Sequence, residues 1–253
     1  MTTAGFLRGA MIGLAASLLF GTAAMAQNAT YTVGSTPSGV PFTFLNVETN
    51  QIDGVMVDIV EAIGETEGFT PRVEATQWSA LIPSLTSNKI DIIAAAMYAT
   101  PERARVVAFS EPVYSYGEGL FVRVDDTESY KTLDDLEGKV VGAQVGTAYV
   151  DAIKAHPKIK EVRVYDSIAD IMRDVSLGRI DAGVGDWPVV AYQLSQGASQ
   201  VRLVEEYESQ ITGDVALAVR QSDTDLLATL NSGLAKLKDS GKLDEIVEKW
   251  GIR

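Results

Sequence analysis

Residues 91–103 have the sequence DIIAAAMYATPER, in which an apolar run leads into the start of a helix. The run predicts a buried strand over Asp91–Ala94. Thr100 is a good helix N-cap and Pro101 suits the first helical position, so we predict a helix that continues through Val106. Because open α/β sheets bind ligands at the carboxyl ends of their strands, this strand end is a candidate binding site.

Arg103 lies in the first turn of that predicted helix, where a positive charge is unfavourable for the helix dipole. An anion bound at the helix N-terminus would remove the conflict, and a guanidinium binds a carboxylate through two parallel hydrogen bonds. Arg103 would equally well form a surface ion pair with Glu102 or Glu111. The residues alone leave these two interpretations equal.

Short strand-like runs alternate with helical runs around this stretch, a pattern typical of layered α/β proteins with parallel sheets. The predicted strands are Tyr31–Gly34, Arg72–Glu74, Asp91–Ala94, Lys139–Ala143, Val162–Tyr165, Ala182–Gly185 and Val215–Val219. The predicted helices are Met56–Glu65, Ser79–Ser87, Ala148–Ala155, Ile168–Leu177, Trp187–Gln196, Thr224–Asp239 and Leu243–Trp250. Two such units indicate two lobes that face each other across a cleft.

The chain is expected to cross between the lobes twice, near Leu120–Val124 and Ile211–Val215. The first lobe then comprises residues 27–119 and 214–253, and the second comprises residues 120–213. Two crossing strands would act as a hinge that lets the cleft close.

The N-terminal segment predicts export. Arg8 is followed by an apolar run, Gly9–Phe20, and by the A-x-A sequence that ends at Ala26. These features are typical of a signal peptide spanning residues 1–26 and cleaved near Ala26. The apolar run is short for a membrane-spanning helix, which disfavours a permanent anchor. We therefore expect the mature protein in the periplasm.

Composition excludes several classes of function. The chain has no cysteine, which excludes disulfides, thiolate metal sites and a cysteine nucleophile. Its formal net charge of −13 disfavours nucleic acid as a partner, because phosphate binding needs clustered Lys and Arg. One histidine does not make a zinc site by itself, and no phosphate-binding or hydrolase motif is present. We expect no cofactor and no metal.

A set of motifs occurs in order along nearly the whole mature chain. They are PF (41–42), GVMVDI (54–59), WSALIPSL (78–85), KIDII (89–93), TPER (100–103), FSEP (109–112), VGAQVGT (141–147), GRIDA (178–182) and LDEIVEKWG (243–251). In this order the chain resembles the family 3 solute-binding proteins, which serve polar amino-acid ABC importers. The resemblance implies the two-lobed α/β fold of periplasmic binding proteins of type II. In that fold each lobe is a mostly parallel sheet flanked by helices, and two strands form the hinge.

The resemblance also implies a function. The protein would be the extracytoplasmic receptor of an ABC importer that binds a small zwitterionic amino acid or amino-acid-like compound between its lobes. It would act as a monomer without catalysis and deliver the ligand to a permease in the inner membrane.

In the first lobe, the resemblance gives Arg103 the role of binding the ligand carboxylate. Backbone groups around Ala96 and Tyr98 would add polar contacts. Trp78 would stack on the ligand, although packing in the core is the other common role of a lone Trp.

In the second lobe, the resemblance places Thr147 on the far side of the same carboxylate and pairs Asp186 with the ligand ammonium. Each residue precedes a predicted helix, so each also fits the simpler role of an N-cap.

Some positions depart from the family pattern. The stretch Ser35–Val40 lacks the acidic and aromatic residues that many relatives carry before the Pro-Phe pair, and Ala96 and Tyr98 replace Ser or Thr. Tyr98 and Trp78, joined by Phe42 or Phe44, would form an aromatic cage that attracts quaternary or delocalised cations. This pattern is similar to that of the ectoine-binding branch of the family. A compatible solute or a modified amino acid therefore stays open as the ligand.

A periplasmic dehydratase of the cyclohexadienyl type is the alternative function on the same scaffold. Its chemistry needs a carboxyl group poised over the substrate, and Glu118 and Asp186 are the candidates. A detached sensor domain is a weaker alternative, since the chain has no signalling domain.

Overall fold

Strands and helices alternate along the chain in the computed structural model, which describes residues 1–2, 28–196 and 200–252. The strands are β1 (Ala29–Ser35), β2 (Ser38–Gly39), β3 (Thr43–Asn46), β4 (Gln51–Asp53), β5 (Phe69–Ala75), β6 (Ile92–Tyr98), β7 (Val107–Phe109), β8 (Tyr114–Arg123), β9 (Val140–Gln144), β10 (Glu161–Tyr165), β11 (Ala182–Asp186), β12 (Val201–Leu203) and β13 (Thr212–Arg220). The α-helices are α1 (Val55–Glu67), α2 (Leu81–Thr86), α3 (Pro101–Ala104), α4 (Ala148–Ala155), α5 (Ile168–Ser176), α6 (Trp187–Ser195), α7 (Thr224–Asp239) and α8 (Lys242–Lys249). Short 3₁₀ turns lie at Trp78–Ala80 and Leu133–Leu136.

The main sheet has the strand order β10-β9-β11-β8-β13-β6-β1-β5. At one end β5, β1 and β6 are parallel, and at the other end β10, β9 and β11 are parallel. Between them, β8 and β13 run antiparallel to their neighbours. The expectation of a two-lobed α/β fold with a mostly parallel sheet in each lobe is confirmed.

The antiparallel strands β8 and β13 connect the two lobes. β8 pairs with β13 through residues 114–117 and then with β11 through residues 118–122. β13 pairs with β8 through residues 212–215 and continues beside β6 and β7 to Arg220. Each strand therefore joins a different partner at each end, as a two-strand hinge requires. The predicted lobe boundaries, 119/120 and 213/214, lie within these strands and stay predictions.

Helix α1 packs against α7 on the outer side of the first lobe. Ile59, Val60 and Ile63 recur at helical spacing and are completely buried. A Cβ on Gly233 of α7 would lie 2.6 Å from Ile63, so the close approach of the helices requires glycine there. Within the described ranges, none of the helices has the length and hydropathy needed to cross a bilayer.

Several elements differ from the sequence-based expectations. The predicted strand 91–94 continues to Tyr98 as β6, and all seven residues of β6 are buried. The helix predicted through Val106 ends at Ala104, because Val107 already pairs with β13 as part of β7. The antiparallel meander β2–β4 and the short strands β7 and β12 were not predicted, since two to four residues carry little periodicity. The predicted signal peptide falls almost entirely outside the described residues.

Candidate functional site

The carboxyl end of β6 has an unusual backbone. Ala96 has φ of 53°, in the left-handed region, which costs a non-glycine residue roughly 1–2 kcal/mol. The register between β6 and β13 shifts between Ala216 and Ala218, so the strands bulge at this point. The Ala96 carbonyl accepts a hydrogen bond from the Tyr116 hydroxyl at 3.1 Å. Bulges often redirect backbone groups next to binding sites, and here the bulge adjoins the cleft between the lobes.

Arg103 lies at the start of α3, where the Thr100 side chain caps the helix by accepting from the Arg103 N–H at 3.3 Å. Its guanidinium crosses the cleft: Nη1 donates to the Tyr98 carbonyl at 2.7 Å and Nη2 donates to the Gly146 carbonyl at 2.9 Å. The side chain also lies over the ring of Trp78, 5.6 Å from its centroid. Burial lowers the pKa of Arg103, which nonetheless stays charged at neutral pH.

The surface-pair interpretation of Arg103 is not observed. Among the described residues, no acidic side chain lies within 4.0 Å of the Arg103 guanidinium, so neither Glu102 nor Glu111 neutralises it. A partly buried guanidinium that packs on Trp78 and donates hydrogen bonds only to carbonyl groups is suited to bind an anion.

Thr147 precedes α4 in the second lobe, directly after Gly146, whose φ of 72° requires glycine. The Thr147 hydroxyl donates to the Gln144 carbonyl at 2.8 Å and does not cap the helix. The expected N-cap role of this side chain is therefore wrong. Because no side chain caps α4, the first backbone N–H groups of the helix are available to an anion.

Asp186 ends β11 and precedes α6, but its side chain also makes no cap hydrogen bond. Its Oδ1 instead accepts from the Tyr149 hydroxyl at 2.5 Å. Burial raises the pKa of Asp186 to about 6, against the opposing effects of the Tyr149 and Tyr116 hydroxyls and the Arg103 charge. A desolvated carboxylate in this state would be stabilised by a cation.

An aromatic cluster surrounds these two charges. The centroid of the Tyr98 ring lies 5.0 Å from that of Tyr116 and 5.9 Å from that of Tyr149. The Phe42 ring stacks on Tyr116, with the two centroids 5.2 Å apart. The hydroxyls of Tyr149 and Tyr98 lie 2.9 Å apart and link the lobes. Burial raises the pKa of Tyr116 and Tyr149 well above the usual value, so both hydroxyls stay protonated.

Two of these aromatic residues were missed from the sequence. Tyr116 comes from hinge strand β8 and Tyr149 from the first turn of α4, and neither position carried a local signal beyond being aromatic. The expected alternative Phe44 packs against Trp250 at 5.6 Å and is absent from the residues that line the cavities. Phe42, by contrast, lines a cavity as expected.

Two small cavities that share some of their lining residues lie between the lobes. One, of about 10 Å³, is lined by all six predicted site residues and by three further residues of the cluster and α4: Trp78, Ala96, Tyr98, Arg103, Thr147, Asp186, Tyr116, Ala148 and Tyr149. The other, of about 30 Å³, shares Trp78, Ala96 and Asp186 with it and extends toward Thr36, Phe42 and Val189. Trp78 also packs on the apolar cluster around Leu81 and Leu85, so its cleft and core roles coexist.

A family model matches nearly all of the described chain. The model of the bacterial extracellular solute-binding proteins, family 3, matches residues 31–253. The chain belongs to this family. It is 34% identical over 214 residues to the putative ABC transporter arginine-binding protein 2 of Escherichia coli (strain K12), a match that covers 83% of this chain and 86% of the relative.

Solved structures of similar proteins extend the comparison for this solute-binding protein. An ancestral arginine-binding protein bound to arginine has a TM-score of 0.80 and 31% identity, covering 88% of this chain and 99% of that chain. An ancestral amino-acid-binding protein described as a precursor of cyclohexadienyl dehydratase has a TM-score of 0.78 and 31% identity, covering 88% and 95%.

Glu118, the other candidate acid, does not face the cavities of this solute-binding protein. It is fully buried and accepts hydrogen bonds from the Tyr207 hydroxyl and from the backbone N–H groups of Gln210 and Ile211, each at 2.8 Å. Its role is to fix the segment that leads into β13. In the described part of the chain, no three metal-binding side chains cluster.

Proposed function

We propose that this protein is the extracytoplasmic receptor of an ABC importer and closes its lobes around a small zwitterionic amino acid or amino-acid-like compound. One observation carries the proposal. Arg103 from the first lobe and Asp186 from the second line the same small cavity, and within the described residues they form no ion pair with each other. A zwitterion supplies the missing partner for each charge.

The ligand carboxylate would bind the Arg103 guanidinium and the open N–H groups at the start of α4. Since Gly146 and Thr147 precede that helix, the carboxylate would contact both lobes. The ammonium would bind Asp186 and the Ala96 carbonyl, with Tyr98 and Trp78 packed beside it. Contacts that exist only when both lobes meet the ligand shift the equilibrium toward the closed state.

The cellular setting is part of the proposal. The protein would be exported by the N-terminal segment, be cleaved near Ala26, and act as a monomer in the periplasm. It would deliver its ligand to an ABC permease in the inner membrane. The family assignment and the names of relatives that bind amino acids for ABC transporters support this setting.

We propose binding without turnover. Glu118 is held by three hydrogen-bond donors away from the cavities, so Asp186 is the only acidic residue among those that line them. A dehydration needs a proton acceptor and a proton donor poised over one substrate, and a second carboxyl group for this is missing from the lining residues.

A thermal-stability screen of the mature protein tests the proposal. Polar amino acids, betaines and ectoines are added singly, and a ligand at 100 to 1,000 times its Kd should stabilise the protein by about 3–4 kcal/mol. Mass spectrometry of the recovered ligand should show no chemical change. Conversion of the ligand would support the dehydratase alternative instead.

Substitution of the carboxylate-binding residue provides the matched test. Arg103→Ala should abolish the stabilisation while the folded circular-dichroism spectrum persists. Arg105→Ala, an exposed arginine at the end of the same helix, should bind as the wild type does. Normal binding by Arg103→Ala would refute the site assignment.

A further inference from the structure

We infer that this protein selects ligands with one anionic and one cationic centre and an uncharged remainder, and discriminates against both arginine-like and acidic amino acids. The inference rests on the proposed function and narrows its ligand class.

The first step concerns the charged side chains that line the cleft. Among the described residues that line the two cavities, Arg103 is the only cationic side chain and Asp186 the only anionic one. In the proposed complex, both are occupied by the ligand's own carboxylate and ammonium. A charge on the ligand side chain would therefore find no counter-ion in the cleft.

The second step concerns the walls of the 30 Å³ cavity, because the ligand side chain would extend into this cavity and contact them. Thr36 and Thr43 are buried, and their hydroxyls are hydrogen-bonded to each other at 2.7 Å. Gln144 donates its amide to the Asp166 carbonyl at 2.9 Å. Phe42, Val189 and Ile168 supply apolar surface. These walls offer neutral dipoles and apolar contacts.

The energetic consequence follows from the cost of burying an unpaired charge. Leaving a buried charge without its partner costs several kcal/mol, whereas a neutral polar group of the same shape needs only a hydrogen bond. A difference of about 3 kcal/mol corresponds to roughly 100-fold in Kd. The arginine-binding relative that is 34% identical is thus a poor guide to the side chain that this protein accepts.

Matched ligand pairs test the inference by titration calorimetry at pH 7.5. The pairs are arginine and citrulline, glutamate and glutamine, and aspartate and asparagine, which differ in charge at nearly constant shape. In every pair that binds, the uncharged member should bind at least about 100-fold more tightly. Arginine or glutamate binding within tenfold of its neutral partner would overturn the inference and leave the proposed function intact. Absence of binding by all amino acids, betaines and ectoines would overturn both.

A variant that supplies the missing acid gives a second test. Ser38 lines the cavity and is exposed, so a carboxylate there stays hydrated and leaves the pair of Thr36 and Thr43 intact. Ser38→Asp should lower the ratio of the arginine Kd to the citrulline Kd by at least about threefold, and the neutral control Ser38→Asn should leave it unchanged. An unchanged ratio in a folded Ser38→Asp protein would contradict the assignment of this cavity to the ligand side chain.

Discussion

Replacing the partly buried carboxylate Asp186 by Asn is expected to stabilise the ligand-free protein and to abolish amino-acid binding. Burial raises the pKa of Asp186 from 3.8 to about 6, a difference of about two pH units. This pKa difference corresponds to a loss of about 3 kcal/mol in the free energy of unfolding at neutral pH, where Asp186 is ionised in the folded protein. Asn removes the charge, and its amide oxygen still accepts the hydrogen bond from Tyr149. No cap is lost, because Asp186 does not cap α6 through its side chain.

The pH dependence of this effect has a definite sign. A raised pKa means that the folded protein keeps the Asp186 proton at pH values where the unfolded chain has released it. The destabilisation is therefore absent below about pH 4, grows as the pH rises, and is complete above about pH 6. We expect the free energy of unfolding of Asp186→Asn to exceed that of the wild type by up to about 3 kcal/mol at pH 7.5. At pH 4 this difference should be nearly gone.

Urea unfolding at pH 7.5, 6 and 4 measures this difference directly. Asp166→Asn is the matched control, because Asp166 is an exposed aspartate at the equivalent junction between β10 and α5. It should show a difference near zero at every pH. A less stable Asp186→Asn protein, or a difference that does not vary with pH, would refute the assignment of a desolvated carboxylate. Ligand binding as tight as in the wild type would refute its role as the partner of the ammonium.

Three further substitutions probe the surroundings of the site. Tyr149→Phe removes a hydrogen bond that lowers the pKa of Asp186, so this pKa should rise. In binding titrations across pH 5–8, the midpoint below which ligand affinity declines should therefore move above pH 6. An unmoved midpoint would argue against this coupling. Gly213→Ala places a Cβ 2.6 Å from the Tyr98 ring, and calorimetry should show at least about tenfold weaker binding; unchanged affinity would mean that the ring position is unimportant. Arg220→Ala removes the ion-pair partner of two partly buried aspartates, Asp91 and Asp223, outside the cleft. Urea unfolding should show a loss of about 2 kcal/mol with ligand affinity unchanged, and altered affinity would indicate coupling to the site.

Local sequence chemistry was sufficient to predict the start of α3. Thr100 and Pro101 act within one helical turn, and the observed cap involves the N–H of Arg103, three residues later. The length of α3 was not predictable in the same way. It ends where Val107 pairs with β13, more than a hundred residues further along the chain, and that competition leaves no trace in a short window.

The same distinction separates the predicted from the missed site residues. Arg103 was recognisable from its place in a motif, but the Gly146 carbonyl that it contacts lies 43 residues away. Tyr116 and Tyr149 reach Ala96 and Asp186 only because the hinge strands and α4 bring the lobes together. Contacts between lobes depend on the tertiary arrangement, which the local pattern of apolar and polar residues does not encode.

The unfavourable features of the cleft share one physical explanation. Arg103 is partly buried and donates hydrogen bonds only to carbonyl groups, and burial raises the pKa of Asp186 to about 6. Each of these two desolvated charges raises the free energy of the ligand-free protein, and each is relieved when a group of opposite charge occupies the cavity. A ligand that carries only one of the two charges relieves only one side of the cleft, so it gains little from closure. The two charges thus couple recognition to lobe closure, and in our proposal a zwitterion closes the lobes more effectively than either charge alone.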